Sequence, residues 1–183
     1  MPTPPSVYNY SIGKGRLYIA TFSGGAPGSY VHIGNCPSIE YEPNLERLPH
    51  FSSMANLREK DRNPVIQVEY TVRFSCDEMA SINLAKFLQG TQSGNVIRGL
   101  MNTDAEYALK FIATNPFGPR RRWDFWKGTL QANGPLQLIG EEWMAMDFMF
   151  EGISDRVNRP STSPYFDVTR ITTTTSTTTT TTT

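Results

Sequence analysis

One stretch of this chain, V-I-Q-V-E-Y-T-V-R-F-S-C at residues 65–76, alternates without a break. Ile66, Val68, Tyr70, Val72, Phe74 and Cys76 share one parity, and Gln67, Glu69, Thr71, Arg73 and Ser75 share the other. Such alternation gives a strand one apolar and one polar face. At roughly 3.3 Å per residue the strand exceeds 30 Å, whereas strands usually run about 5–6 residues. It leads into S-C-D-E, where Ser75 and Glu78 have capping-box spacing, and predicts a helix over 76–89. Met79, Ile82, Ala85 and Leu88 form the apolar stripe of that helix, widened by Leu84 and Phe87. Gly90 suits the left-handed position that closes a helix. A long two-faced strand beside one short helix predicts a sheet made to be covered or extended by something else.

The rest of the chain is read as further strands. Arg16–Phe22, Tyr30–Ile33, Ser38–Glu42, Ala105–Ala113, Arg121–Ala132 and Glu142–Ile153 alternate or are bounded by turn residues such as N-P-F-G-P and N-G-P. Abundant Thr, Ser, Gly, Pro and aromatic residues fit a β-rich chain. Residues 1–12 are Pro-rich and then aromatic and predict an extended arm bearing Tyr8, Tyr10 and Ile12. Residues 13–155 make the β domain, and 156–183 a C-terminal extension ending in a Thr-rich tail. That tail cannot build a core, although β-branched hydroxyl residues can order against neighbouring copies or carry O-linked sugars.

Residues 43–63 have no period and many charges, which predicts a long loop, and loops of that length inside a domain are usually functional or disordered. Yet the loop carries Leu45, Leu48, Phe51, Met54 and Leu57 among Glu46, Arg47, His50 and Arg58. A purely solvated loop has no use for those apolar groups, so docking onto a neighbour is expected.

The chemistry-bearing residues do not assemble into a catalytic pattern. His32 and His50 lack partners at ligand spacing, and a zinc site needs three or four ligands. Asp77-Glu78 and Glu141-Glu142 are pairs in sequence only, and G-K-G at 13–15 lacks the strand-then-helix setting of a phosphate loop. Its glycines suit a bend or a close backbone approach at the start of a strand. Cys36 and Cys76 are not in C-x-x-C spacing and read as reduced buried thiols. No enzyme activity, metal or cofactor is expected.

Lys plus Arg and Asp plus Glu each number 17, a balance that argues against a general nucleic-acid binder. The one basic run, R-R-R-W-D-F-W-K at 120–127, reads as cross-strand or subunit-interface pairing through Arg121, Arg122, Trp123 and Trp126. A sugar-binding sandwich using Trp123, Trp126 and Trp143 is a second reading. The opening M-P-T-P-P-S lacks the charged and apolar regions of a signal peptide, and no apolar run approaches the ~20 residues of a membrane span.

Three segments in order, Y-S-I-G-K-G-R-L-Y-I-A, H-I-G-N-C-P-S-I-E-Y-E-P-N-L-E-R-L-P-H-F-S-S-M and V-I-Q-V-E-Y-T-V-R-F-S-C-D-E-M-A-S-I-N-L-A-K-F-L-Q-G, resemble the major tail tube protein of long, non-contractile bacteriophage tails. The resemblance spans most of residues 8–90 and rests on order and spacing. It implies a mainly β, antiparallel sandwich or barrel with one flanking helix, six copies to a ring, and rings stacked into a conduit for DNA. It places the long loop and the arm between rings, and the tape measure protein and viral DNA in the lumen. Tail terminator and baseplate or tip proteins would bind the tube ends, and assembly would occur in the host cytoplasm. The polar set Gln67, Glu69, Thr71 and Arg73 is taken as lumen-facing, since water and DNA must pass while the apolar set needs a core. A terminator or head–tail connector, forming a single ring, is the nearer alternative.

Overall fold

A computed structural model describes residues 10–54 and 58–171 and bears out the expected class: the molecule is mainly β and antiparallel, with one α-helix. The long strand appears with its expected bounds, as β7 (Val65–Cys76). It lies between β4 (Ser38–Arg47) and β12 (Met146–Gly152). β12 passes the sheet to the second half of β11 (Arg120–Ala132). The first half of β11 pairs on that same edge with β13 (Phe166–Ile171). Its other edge takes β10 (Glu106–Ala113), which pairs with β1 (Gly15–Ser23). Two short strands, β2 (Ala26–Pro27) and β3 (Val31–His32), cap the far edge.

Because β11 serves β13 with one half and β12 with the other, the sheet curls and faces itself. The layer β4-β7-β12 packs on the layer of β13, β10, β1 and the first half of β11. Between them lie Leu17, Ile19, Tyr70, Val72, Phe74, Leu109, Phe125, Leu130, Met146, Phe148 and Phe150, all buried. Aromatic rings join the layers: Tyr41 lies 5.7 Å from Trp123 and 5.2 Å from Phe166, and Tyr70 lies 5.8 Å from Phe125. Aromatic pairs at such spacings add about 0.5–1.5 kcal/mol each beyond their burial.

Two glycines are dictated by this packing. A Cβ at Gly15 would collide with the Phe111 ring and the Ile112 carbonyl, the close backbone approach expected of G-K-G. A Cβ at Gly152 would enter the Tyr70 ring. Gly152→Ala is therefore expected to cost about 1–3 kcal/mol, the usual penalty of overpacking, read as a lowered midpoint in thermal unfolding. A midpoint equal to the parent's would show that Tyr70 can move aside.

Several expectations are corrected. The helix, α1 (Ser81–Phe87), is shorter than 76–89, and no capping box forms. Ser75 remains in the ladder, opposite Ser38 and Asp147, and Ala80 is the N-cap without a side-chain bond. Asn83 anchors the helix instead: its buried amide donates to the carbonyls of Ile33 (2.8 Å) and Glu78 (3.1 Å). Ala85 and Phe87 face the core while Ile82 and Leu88 stay exposed, because the helix rests on only part of its expected stripe. The left-handed residue is Gln89 (φ 46°), and Gly90 instead passes close to the Arg98 carbonyl. Asn83→Ala removes both bonds, leaves the buried Ile33 carbonyl with only the weaker Cys76 thiol donor at 3.2 Å, and should cost about 1–3 kcal/mol. A chemical-denaturation midpoint unchanged from the parent would remove Asn83 as the anchor.

The strand expected over 142–153 begins only at Met146, and 133–145 is a loop. The C-terminal extension is shorter than 156–183. β13 belongs to the fold, since the first half of β11 needs a partner and Phe166 completes the aromatic cluster. The Thr-rich tail lies outside the described residues. Behind α1, β8 (Thr91–Ser93) and β9 (Val96–Arg98) form a small hairpin.

Candidate functional site

Burial along β7 is uneven, and that unevenness defines the site. Tyr70, Val72, Phe74 and Cys76 are buried, but every residue from Val65 to Glu69 is exposed. The alternation continues unbroken through both halves, so Ile66 and Val68 have the parity of the core without a core beneath them. β4 runs alongside for its whole length, with Leu45 opposite Val68 and Pro43 opposite Tyr70. Leu45, Ile66 and Val68 thus form an apolar strip that overhangs the domain, each more than two-fifths exposed. Five residues at about 3.3 Å project roughly 16 Å past the core.

The expected loop 43–63 is mostly a continuation of this ladder and not an irregular connection. Residues 43–47 belong to β4, and beyond them β5 (His50–Ser52) pairs with β6 (Glu59–Arg62). The amide of Leu48 donates to the Pro64 carbonyl where the two ladders meet. The sequence hid this because charges fall on both parities here, with no apolar face to mark a period. At the tip His50 Nδ1 lies 2.6 Å from Asp61 Oδ1, and the imidazole holds that carboxyl below its usual range. Arg58 lies over the Phe51 ring at 5.4 Å. Leu48, Phe51 and Met54 are exposed, Met54 to 98%. Leu57 lies outside the described residues.

The opposite face of the ladder is polar along its whole length. Gln67, Glu69, Thr71 and Arg73 all point away from the core, as their parity requires. Directly opposite them stand Glu46, Asn44, Glu42 and Glu40 of β4, and Glu151 and Asp147 of β12 lie on the same face. Arg73, the single cation among these residues, bonds Glu42, and Gln67 bonds Glu69. Five acids on this face, Glu40, Glu46, Glu69, Asp147 and Glu151, have no cationic partner among the described residues. Among the described residues β4 also has no strand on its outer side, so its backbone groups form an open edge.

The interface candidates on β11 behave differently. Trp123 is half-buried in the aromatic cluster with Tyr41, Phe125 and Phe166. Trp126 lies under the Arg159 guanidinium, 3.3 Å from the ring. Arg122 bonds the buried Asp124 at 2.6 Å. All three make contacts within the subunit, and β13 and the segment before it cover much of the surface the two tryptophans were expected to offer. Arg121 remains exposed, opposite Arg170, and Arg122 keeps part of its side chain exposed beside Asp124. The tryptophan platform of the sugar-binding reading is not assembled: Trp143, 97% exposed on the 133–145 loop, stands apart from the two inside. Sequence alternation misplaced Trp143 in a strand; its flanking G-E-E was the available sign of a loop.

In the arm, Tyr10 and Ile12 are exposed, and Ser11 accepts a hydrogen bond from Asn115. Tyr8 lies outside the described residues. Cys36 and Cys76 are unpaired in disulfides, Cys76 buried and Cys36 partly so. A hydrogen bond to Cys76 and then burial hold the Cys36 thiol well above its usual range, which makes it a poor nucleophile. Among the described residues no three His, Cys, Asp or Glu side chains come together as a metal site would require. No helix of the described residues is long and apolar enough to cross a membrane.

A cleft of about 680 Å³ opens between the layers beside Cys36, Pro37, Ile39, Tyr41, Phe111 and Trp123. Its polar side chains are Lys14, Tyr41, Thr114 and that thiol, set in a lining that is otherwise mostly apolar.

Residues 10–96 match the profile of a family described as "Protein of unknown function UCP028589". The match covers β1 through the start of β9, including the whole overhanging hairpin. No curated protein matches the chain.

Proposed function

We propose that this protein is the repeating subunit of a bacteriophage tail tube, assembling as hexameric rings that stack into a conduit for DNA. The observation that carries the reading is the overhang of β4 and β7, where an apolar strip and an open strand edge continue past the molecule's own core. A long exposed edge strand is an aggregation liability for a protein that stays alone. A ring of identical copies pairs each edge with its neighbour, and closure leaves no edge free. The overhanging strip then meets the next copy's surface, and the polar face of the ladder turns to the lumen.

The charge of that face fits passage of a polyanion. Glu40, Glu42, Glu46, Glu69, Asp147 and Glu151 against Arg73 leave the ladder acidic. Phosphate neutralisation by Lys and Arg supplies most non-specific DNA affinity, and a lumen of this composition lets DNA slide. The tape measure protein would occupy the lumen before DNA, and terminator and tip proteins would close the two ends. The subunit would reside in the virion tail.

The test is negative-stain electron microscopy of purified protein at increasing concentration. Rings about one subunit thick, or tubes, support the reading; a species that stays monomeric by sedimentation at millimolar concentration refutes it. Rings that never stack would favour a terminator or connector. Replacing residues 48–64 with Asn-Gly removes the tip and leaves Arg47 of β4 and Val65 of β7 joined by a two-residue hairpin turn. That variant is expected to fold and form rings but not tubes. Tubes of normal length from it would exclude the tip from stacking.

A further inference from the structure

The two ends of the β4–β7 ladder are unlike, and they are complementary. The tip end carries Arg47, Arg58, Lys60 and Arg62 against Glu59 and Asp61, with Asp61 already engaged by His50. The other end is where Cys76 meets Met146. There the 133–145 loop leaves and returns, between Ala132 opposite Phe148 and Met146 opposite Cys76. Asp77, Glu78, Glu141, Glu142 and Asp147 lie at this base, and no Lys or Arg occurs from Asn133 to Asp147 or from Phe74 to Ala85. The nearest cation on the helix, Lys86, directs its ammonium to the Ile82 carbonyl of its own helix at 3.3 Å.

Both ends also expose large apolar groups. Leu48, Phe51 and Met54 do so at the tip; Leu138, Ile139 and Trp143 do so at the base, with Ile139 93% exposed. Contiguous apolar groups rimmed by charge mark protein interaction surfaces, and tryptophan is prominent among residues that dominate binding energy. Between the two ends runs the whole of β7, about 40 Å at 3.3 Å per residue.

We infer that the 133–145 loop is the receptor for the hairpin tip of a second copy, seating Phe51 and Met54 against Ile139 and Trp143 with Arg58 and Lys60 facing Glu141 and Glu142. The contact is heterologous: tip and base are different surfaces on opposite ends of one element. Such a contact cannot close on a pair of molecules and propagates as an open stack. The inference rests on the tube reading for its setting and adds the surface on which each ring receives the next.

Charge exchange tests it. Arg58→Glu with Lys60→Glu, and separately Glu141→Lys with Glu142→Lys, are each expected to raise the concentration needed for stacking more than tenfold. The four changes together should restore it, since each acid again faces a base. Restoration is a result that mere damage to either end cannot produce. Trp143→Ala with Ile139→Ala should raise the same threshold at least tenfold with the unfolding midpoint unchanged.

A cross-link reads the contact directly. Met54→Cys with Ile139→Cys should give a ladder of oligomers with a short bis-maleimide, while the parent, retaining Cys36 and Cys76, gives none. Failure of the charge exchange to restore stacking, or a Met54→Cys single variant that cross-links to itself as a dimer, overturns the inference. Tubes unaffected by all these changes would overturn it and leave the tube reading standing. If the parent forms no rings or tubes at all, the tube reading fails, and the ladder alone decides the tip-to-base contact.

Discussion

Serine at both Ile66 and Val68 is expected to leave the subunit folded and to abolish the proposed assembly into rings. Both side chains have core parity but lie beyond the core, so their replacement removes little intramolecular packing. Surface changes of this kind shift stability by about ±0.5 kcal/mol, or about 1–2 °C in midpoint for a chain of this size. In a ring, each buried residue of that size contributes about 1.5–3 kcal/mol. In the proposed six-membered ring, the two together, lost at each joint, would weaken assembly by orders of magnitude. Sedimentation velocity measures the loss and circular dichroism the retained fold. Rings persisting at the parent's concentration would mean that the overhang is not the joint.

Phe150→Ala is expected to have the largest effect on the subunit itself. Phe150 is fully buried, with the rings of Tyr70 and Phe125 each 6.4 Å away. Truncating a buried phenylalanine costs about 3–5 kcal/mol, against a total stability of about 5–15 kcal/mol for most domains. The midpoint should fall by about 10 °C, at about 2–4 °C per kcal/mol. Trp143→Ala, a larger truncation by volume, should leave it unchanged, because Trp143 touches almost nothing in its own chain. A small loss at Phe150 would show a core loose enough to refill the space, and a large one at Trp143 would show that its loop is packed in solution.

The contrast between these two aromatic residues explains how much of the site could be read in advance. Phe150 alternates with Met146 and Phe148 in M-D-F-M-F, and period two is enough to send it inward. Trp143 sits four residues before Asp147, in the same apparent alternation, yet the strand does not begin until Met146. What ends the strand is the length of its partner: β7 stops at Cys76, opposite Met146, and leaves Trp143 no ladder to join. Similarly, Ile66 and Phe74 are indistinguishable by pattern. They differ only because the core cluster closes over Phe74 and stops short of Ile66.

Local pattern was enough to establish the fold class, the bounds of β7, its two faces and the outward direction of Gln67, Glu69, Thr71 and Arg73. These follow from a local rule, since successive side chains on any strand point to opposite sides. Tertiary structure decided the rest. It set where burial stops along β7 and made a hairpin of residues expected to be a loop. It drew β13 into the domain, turned Trp123 and Trp126 inward and left Trp143 outside. Each of those outcomes depends on which distant segment lies alongside, and no local period encodes the identity or the length of a partner strand.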